Sequence, residues 1–280
     1  MTSAPERKAD LQELIDRFTP LARQAVAEAG GPSPRRISAA QALGDRGLRG
    51  PAVASTIDHT LLKPGSTPRQ IEELCAQALE NRFAAVCINT GLLGTAVSAL
   101  AGSSVKVACV VGFPLGATTA QVKAVETDQA VQAGAGEIDM VIDLGHLKAG
   151  DHRRVTDDIL AVTRPAHEGG ALVKLIVEAG LLTPEEKVLA CLLGSHAGVD
   201  FVKTSTGFNA GGATLEDVAL MRSLVGPTVG VKAAGGIRSL QDAEAMIAAG
   251  ASRLGTSAGV AIMQEAIGKA PERPVAATAY

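Results

Sequence analysis

Aromatic side chains are nearly missing from this chain, which has five Phe, one Tyr and no Trp. Stacking platforms are therefore scarce. The net charge is −3, with lysines and arginines spread along the chain instead of gathered in a stripe. Together these features exclude nucleic-acid recognition as a function class. No apolar run reaches the roughly 18–20 residues of a membrane span, which argues against membrane insertion. The opening MTSAPERKADLQELI lacks an uninterrupted apolar stretch and does not read as a secretory signal. No Cys-x-x-Cys pair occurs. Cys75, Cys87, Cys109 and Cys191 each sit in an apolar run, as expected for buried thiols of a reducing, cytoplasmic compartment. The five histidines show neither His-x-Glu nor His-Glu-x-x-His spacing, so no metal is expected. His59 reads as a packing or capping residue, and His146, His152, His167 and His196 as solvated.

What is present is a long αβ alternation built from Ala, Val, Leu, Ile and 31 glycines. Residues 9–29 carry apolar positions three and four apart, with Pro20 as an expected break, which reads as one or two amphipathic helices. Irregular stretches follow. From residue 53, apolar strand patterns recur at 53–58, 84–89, 106–112, 137–143, 172–178, 199–204, 229–235 and 252–257. Helical patterns lie between them at 68–82, 90–101, 118–133, 151–168, 184–196, 214–225 and 239–249, and a last one covers 258–268. Gly134, Gly198 and Gly250 each follow an alanine at a helix end and are placed to stop it. Eight such units predict an α/β fold, a closed (β/α)8 TIM barrel over residues 51–268. Residues 1–50 would form an N-terminal helical extension (a dimer arm, a lid over the barrel's N-terminal end, or a solubilising segment), and 269–280 a flexible tail. The rival doubly wound sheet lacks a Gly-x-Gly-x-x-Gly after its first strand.

Strand side chains alternate faces, so residues two apart point together. In 137–143, Ile138, Met140 and Ile142 take one face, which leaves Asp139, Val141 and Asp143 on the other. By the same rule Lys174, Ile176 and Glu178 share a face, as do Phe201 and Lys203, and Lys232 and Gly230. Unpaired buried charges are costly. Charges on four strands therefore suggest a site, although Lys174 and Glu178 read as an interior ion pair. A lysine attacks carbonyls only when neutral, and burial beside another ammonium favours that form. Lys203, Lys232 and Asp139 fit a nucleophile, a pKa perturber and a proton relay; the residues leave open which lysine is which. Gly235 and Gly236, with Ser239 as an expected helix cap, form one anion-binding turn after a strand. Gly255, Thr256 and Ser257 form a second, in the pair of loops where such barrels hold phosphate. The same GTSAG matches the hydrolase elbow, but all five histidines precede Ser257, which is the wrong order for that triad.

Seven segments, taken in order, resemble deoxyribose-phosphate aldolases: IDHTLLKP (57–64), AAVCIN (84–89), VVGFPLGATT (110–119), GAGEIDMVI (134–142), LIVEAGLLT (175–183), DFVKTSTGF (200–208) and VGVKAAGGIRS (229–239). The resemblance spans about residues 54–265. It implies reversible cleavage of 2-deoxy-D-ribose 5-phosphate to D-glyceraldehyde 3-phosphate and acetaldehyde through a lysine Schiff base, without cofactor, in a homodimer. It implies Lys203 as the Schiff-base residue, Lys232 as its perturber and Asp139 as relay. Asp58, Thr60, Thr206 and Lys174 would hold the sugar or support the lysines, with Cys87 near the aldehyde. Gly207, Gly235, Gly236 and Ser257 would hold phosphate, and Tyr280 would be a proton shuttle on the tail. Phe208 stands where some members have a basic residue, so phosphate binding is expected to lean on backbone and Arg238. Other Schiff-base aldolases, and a sugar-phosphate-binding barrel without chemistry, are the alternatives.

Overall fold

Hydrogen-bonding side chains start most of the helices, and glycines stop several of them. The computed structural model describes residues 4–209 and 211–269. The strands are β1 (Ile57–Leu61), β2 (Ala85–Ile88), β3 (Lys106–Val111), β4 (Glu137–Val141), β5 (Leu172–Ile176), β6 (Phe201–Lys203), β7 (Gly230–Ala234) and β8 (Arg253–Thr256). All pair in parallel, each with its neighbour in sequence, and β8 closes on β1. Eleven α-helices accompany them among the described residues: α1 (Ala4–Glu28), α2 (Ala39–Leu43), α3 (Pro68–Asn81), α4 (Leu93–Ala99), α5 (Ala120–Gln132), α6 (Leu144–Lys148), α7 (His152–Glu168), α8 (Pro184–Ala197), α9 (Leu215–Val225), α10 (Leu240–Ala249) and α11 (Gly259–Ala266). This is the expected (β/α)8 barrel.

Local chemistry explains the boundaries. Thr67 and Thr183 cap α3 and α8, each followed by Pro at the first helical position and by Gln70 or Glu186 completing a capping box. Gly134, Gly198 and Gly250 all have positive φ, as their place after helices requires. At Gly198 a Cβ would also strike the Ser33 carbonyl. The apolar core is the layer between strands and helices, where Ile138, Met140, Val173, Leu175, Val202 and Val231 are buried.

Three local expectations are corrected. Residues 50–56 form a 3-10 helix, because Ser55 and Thr56 hydroxyls donate to the Ala52 and Val53 carbonyls three residues back and Pro51 sits in the first turn. β1 therefore starts at Ile57. Pro20 does not break α1: it lies on the exposed side, and burial of Phe18, Ala22, Ala25 and Val26 offsets one missing hydrogen bond. Asp143 lies beyond β4 and caps α6, accepting from His146 N at 3.1 Å and sitting 2.6 Å from its Nδ1.

The N-terminal extension packs on the barrel. Its first helix lies on α7 and α8, and residues 37–48 cross the strands' N-terminal end beside Leu172, Phe201 and Arg253. Ser33 N donates to Ala197 O at 2.9 Å and Arg36 N to Asp200 at 2.6 Å. His167, expected in solvent, is buried here. Its Nδ1 is 2.7 Å from Ser33 Oγ, and its Nε2 2.8 Å from Asp200. Tyr280 lies outside the described residues.

Candidate active site

Inside the ring the alternation brings charge where other folds keep hydrocarbon. Lys203 and Lys232 are register partners on β6 and β7, and Asp139 and Lys174 are partners on β4 and β5. Asp139 is the hub: its Oδ2 lies 2.8 Å from both Lys203 Nζ and Lys232 Nζ, and its Oδ1 2.6 Å from Lys174 Nζ. Lys232 has a second carboxylate, Asp58, at 2.5 Å. Lys174 has Glu137 at 2.6 Å. Lys203 has no second carboxylate. Two glycines make the room: a Cβ on Gly230 would collide with the Phe201 ring, and one on Gly255 would sit 3.1 Å from Lys232 Cε.

Electrostatics then separates the three amines. Burial lowers the Lys203 pKa, and Lys232 lowers it further against the pull of Asp139; the net shift is downward. Burial acts the same way on Lys232, but Asp139 and Asp58 outweigh it and hold that amine well above its ordinary value. Lys174 is likewise raised, burial being overcome by Asp139 and Glu137. Burial favours protonated Asp139 and Asp58, yet the surrounding cations drive both below the usual carboxylate range. The sequence left the two lysines undistinguished; their surroundings set Lys203 apart as the amine drawn toward neutrality. Cys87 Sγ lies 3.9 Å from Asp139, and burial pushes its thiol up, so it stays uncharged.

The supporting residues sort by what they touch. Asp58 and Lys174 are fully buried with their polar atoms engaged by protein groups, so they support the lysines and do not offer themselves to a sugar. The expected Lys174–Glu178 pair does not form. Glu178 instead accepts from Thr206 N and from Thr206 Oγ1 at 2.5 Å, and from Asn209 Nδ2 at 2.9 Å. It thereby braces the loop after β6, with Thr206 committed to that brace. Thr60 Oγ1 donates to Asp58 O at 2.8 Å. Phe208 meets Phe113 edge-to-face at 5.2 Å, beside a small apolar cluster of Leu62, Cys87, Ala108 and Val110. Glu137 and Arg253 were missed from sequence. Arg253 bonds Asp58 at 2.7 Å and Glu137 at 2.9 Å, and the only sequence signal was their spacing of two from Asp139 and Gly255.

The glycines gather at the strands' C-terminal ends. Gly207, Gly235 and Gly236 all have positive φ. Gly235 is packed so tightly on Gly212 that a Cβ would lie 3.0 Å from its Cα, and 3.8 Å from that of Gly207. Thr256 Oγ1 donates to Ile237 O at 2.7 Å, tying the loop after β8 to the loop after β7. The helix after β7 is not an open anion site, since Asp242 accepts from Arg238 N and Ser239 N, and Glu265 from Leu240 N. The helix after β8 differs: it starts at Gly259, and the preceding Ala258 supplies no side-chain cap, next to exposed Ser257. Arg238 is exposed at the same rim. Among the described residues no group of three or more His, Cys, Asp or Glu is placed to hold a metal.

The model of the DeoC/LacD family aldolases matches residues 52–265. A deoxyribose-phosphate aldolase of Streptococcus uberis is 58% identical over 207 residues, 74% of this chain and 93% of that one. One of a Geobacillus species is 57% identical over 212 residues, 76% of this chain and 95% of its own. The solved deoxyribose phosphate aldolase of Aeropyrum pernix superposes with a TM-score of 0.72 at 34% identity, covering 81% of this chain and 94% of that one. The chain belongs to the DeoC/LacD family of aldolases.

Proposed function

We propose that this aldolase cleaves 2-deoxy-D-ribose 5-phosphate through a Schiff base on Lys203. One observation carries the reading: three buried lysines converge on Asp139, and the one without a second carboxylate is the one drawn toward neutrality. Neutral Lys203 adds to the C1 aldehyde of the open-chain sugar. Loss of water from the carbinolamine gives an iminium, with Asp139 and Lys232 moving protons to and from its oxygen. The C3 hydroxyl gives up its proton to the same relay, directly or through water. The C2–C3 bond breaks, its electron pair enters the iminium to form an enamine, and glyceraldehyde 3-phosphate leaves. Protonation at C2 and hydrolysis then release acetaldehyde and restore Lys203. The Gly235–Gly236 turn, Gly207 and the start of α11 by Ser257 would receive the phosphate.

The test is chemical trapping. Acetaldehyde followed by borohydride is expected to leave an N-ethyl group on Lys203, read by peptide mass. An adduct on Lys232, or none, overturns the reading. Parallel assays with deoxyribose 5-phosphate and hexose phosphates check the substrate.

A further inference from the structure

The closed end of the barrel, away from the glycine loops, holds two charged residues that this mechanism does not use. Arg253 starts β8, and its side chain is 14% exposed beside a cavity of about 400 Å³ lined by Gln41, Gly44, Leu172, Phe201 and Ser252. Its guanidinium bonds Asp58 at 2.7 Å and both Glu137 oxygens, and stands over the Phe201 ring at 5.4 Å. Glu137 then reaches Lys174 at 2.6 Å, and Asp58 reaches Lys232 at 2.5 Å. Two chains of contact thus run from Arg253 up to Lys174 and Lys232, two of the three lysines that meet Asp139.

The charged groups facing one another inside the ring are Asp58 on β1, Glu137 and Asp139 on β4, Lys174 on β5, Lys203 on β6, Lys232 on β7 and Arg253 on β8, with the neutral Cys87 thiol on β2. Four bases face three carboxylates. One proton is in excess, and losing it from one amine leaves the interior neutral.

We propose that Arg253 and Glu137 are a matched pair of positioning residues: from the closed end they engage Asp58 and Lys174 and cancel each other's charge, which preserves a one-charge excess and leaves Lys203 as the amine free to become neutral. The inference rests on the Schiff-base reading above. Removing the arginine charge abolishes the excess, so Lys203 keeps its proton to higher pH. Removing the glutamate charge doubles the excess, so Lys203 loses its proton at lower pH. Removing both restores an excess of one.

The experiment is the pH dependence of acetaldehyde–borohydride trapping at Lys203 in the full chain, with circular dichroism to show folding. Arg253→Gln is expected to raise the pH of half-maximal trapping by about one unit, and Glu137→Gln to lower it by about as much. The double variant and Arg253→Lys are expected near the wild-type profile. A merely structural role would lower the trapping rate in both single variants without shifting the profiles in opposite directions. Shifts of the same sign, or none, in folded variants overturn the inference. If Glu137→Gln does not fold, equal profiles for Arg253→Gln and Arg253→Lys overturn it. Absence of any trapped lysine in the wild type overturns the Schiff-base reading instead.

Discussion

Two buried lysine–carboxylate sites lie within this one barrel and behave differently. Outside the ring, Lys123 on α5 reaches Asp158 on α7 at 2.6 Å and the Val141 carbonyl at 2.8 Å. Both side chains are essentially sealed from water. One cation meets one carboxylate, and burial pushes Asp158 up to about 6 in spite of Lys123. Inside the ring, four bases share three carboxylates, and both Asp139 and Asp58 are driven down. Burial is common to the two sites. What distinguishes them is number and sharing: a matched pair pins two helices together, whereas a surplus amine competing for an occupied carboxylate is drawn toward its neutral form.

The largest test of that contrast is Lys203→Met. On the proposed mechanism it removes the covalent route, so turnover should fall at least about 10⁴-fold while the fold persists. Retained cleavage would erase the distinction between the sites. Next, Lys123→Met strands the Asp158 carboxylate and is expected to destabilise the protein by about 3 kcal/mol, measured by urea unfolding. Turnover per folded molecule and its pH profile should stay as they were. A shifted profile would mean that the two sites are coupled.

Acid titration sharpens the comparison from the other side. Asp58 and Asp139 are depressed in the folded state, so their pairing stabilises above the unfolded carboxylate pKa of about 3.9 and is lost as pH falls below it. Asp158 is raised, so its burial stabilises most below about 3.9. That contribution has gone once pH passes about 6. Urea midpoints between pH 7 and pH 4 should therefore show a gain on acidification in the wild type that Asp158→Asn lacks. Equal slopes would refute the assignment. The smallest effect is expected at Glu178→Gln, which weakens the brace on Thr206 and Asn209. KM for the phosphorylated sugar should rise about tenfold, with kcat much less affected. A fall in kcat alone would place Glu178 in the chemistry instead.

Much of this was legible because strands have a period of two. Asp139, Lys174, Lys203 and Lys232 stood on the inner faces of their strands in the sequence, and the glycine punctuation marked the αβ units. Glu137 and Arg253 were not legible, since a charge at a strand's first residue ordinarily reads as solvated. His167 was misread because its partners Ser33 and Asp200 lie 134 and 33 residues away. Pro20 misled because its exposure, which makes it tolerable, is a property of packing.

Sequence alone settled the class of fold and which charged residues stand on the strands' inner faces, because alternation and helix punctuation are local and each residue carries them unaided. Tertiary structure decided which lysine is the odd one. That choice depends on how many carboxylates lie within hydrogen-bonding reach of each amine, and only closing β8 onto β1 brings Arg253 and Asp58 into the same interior.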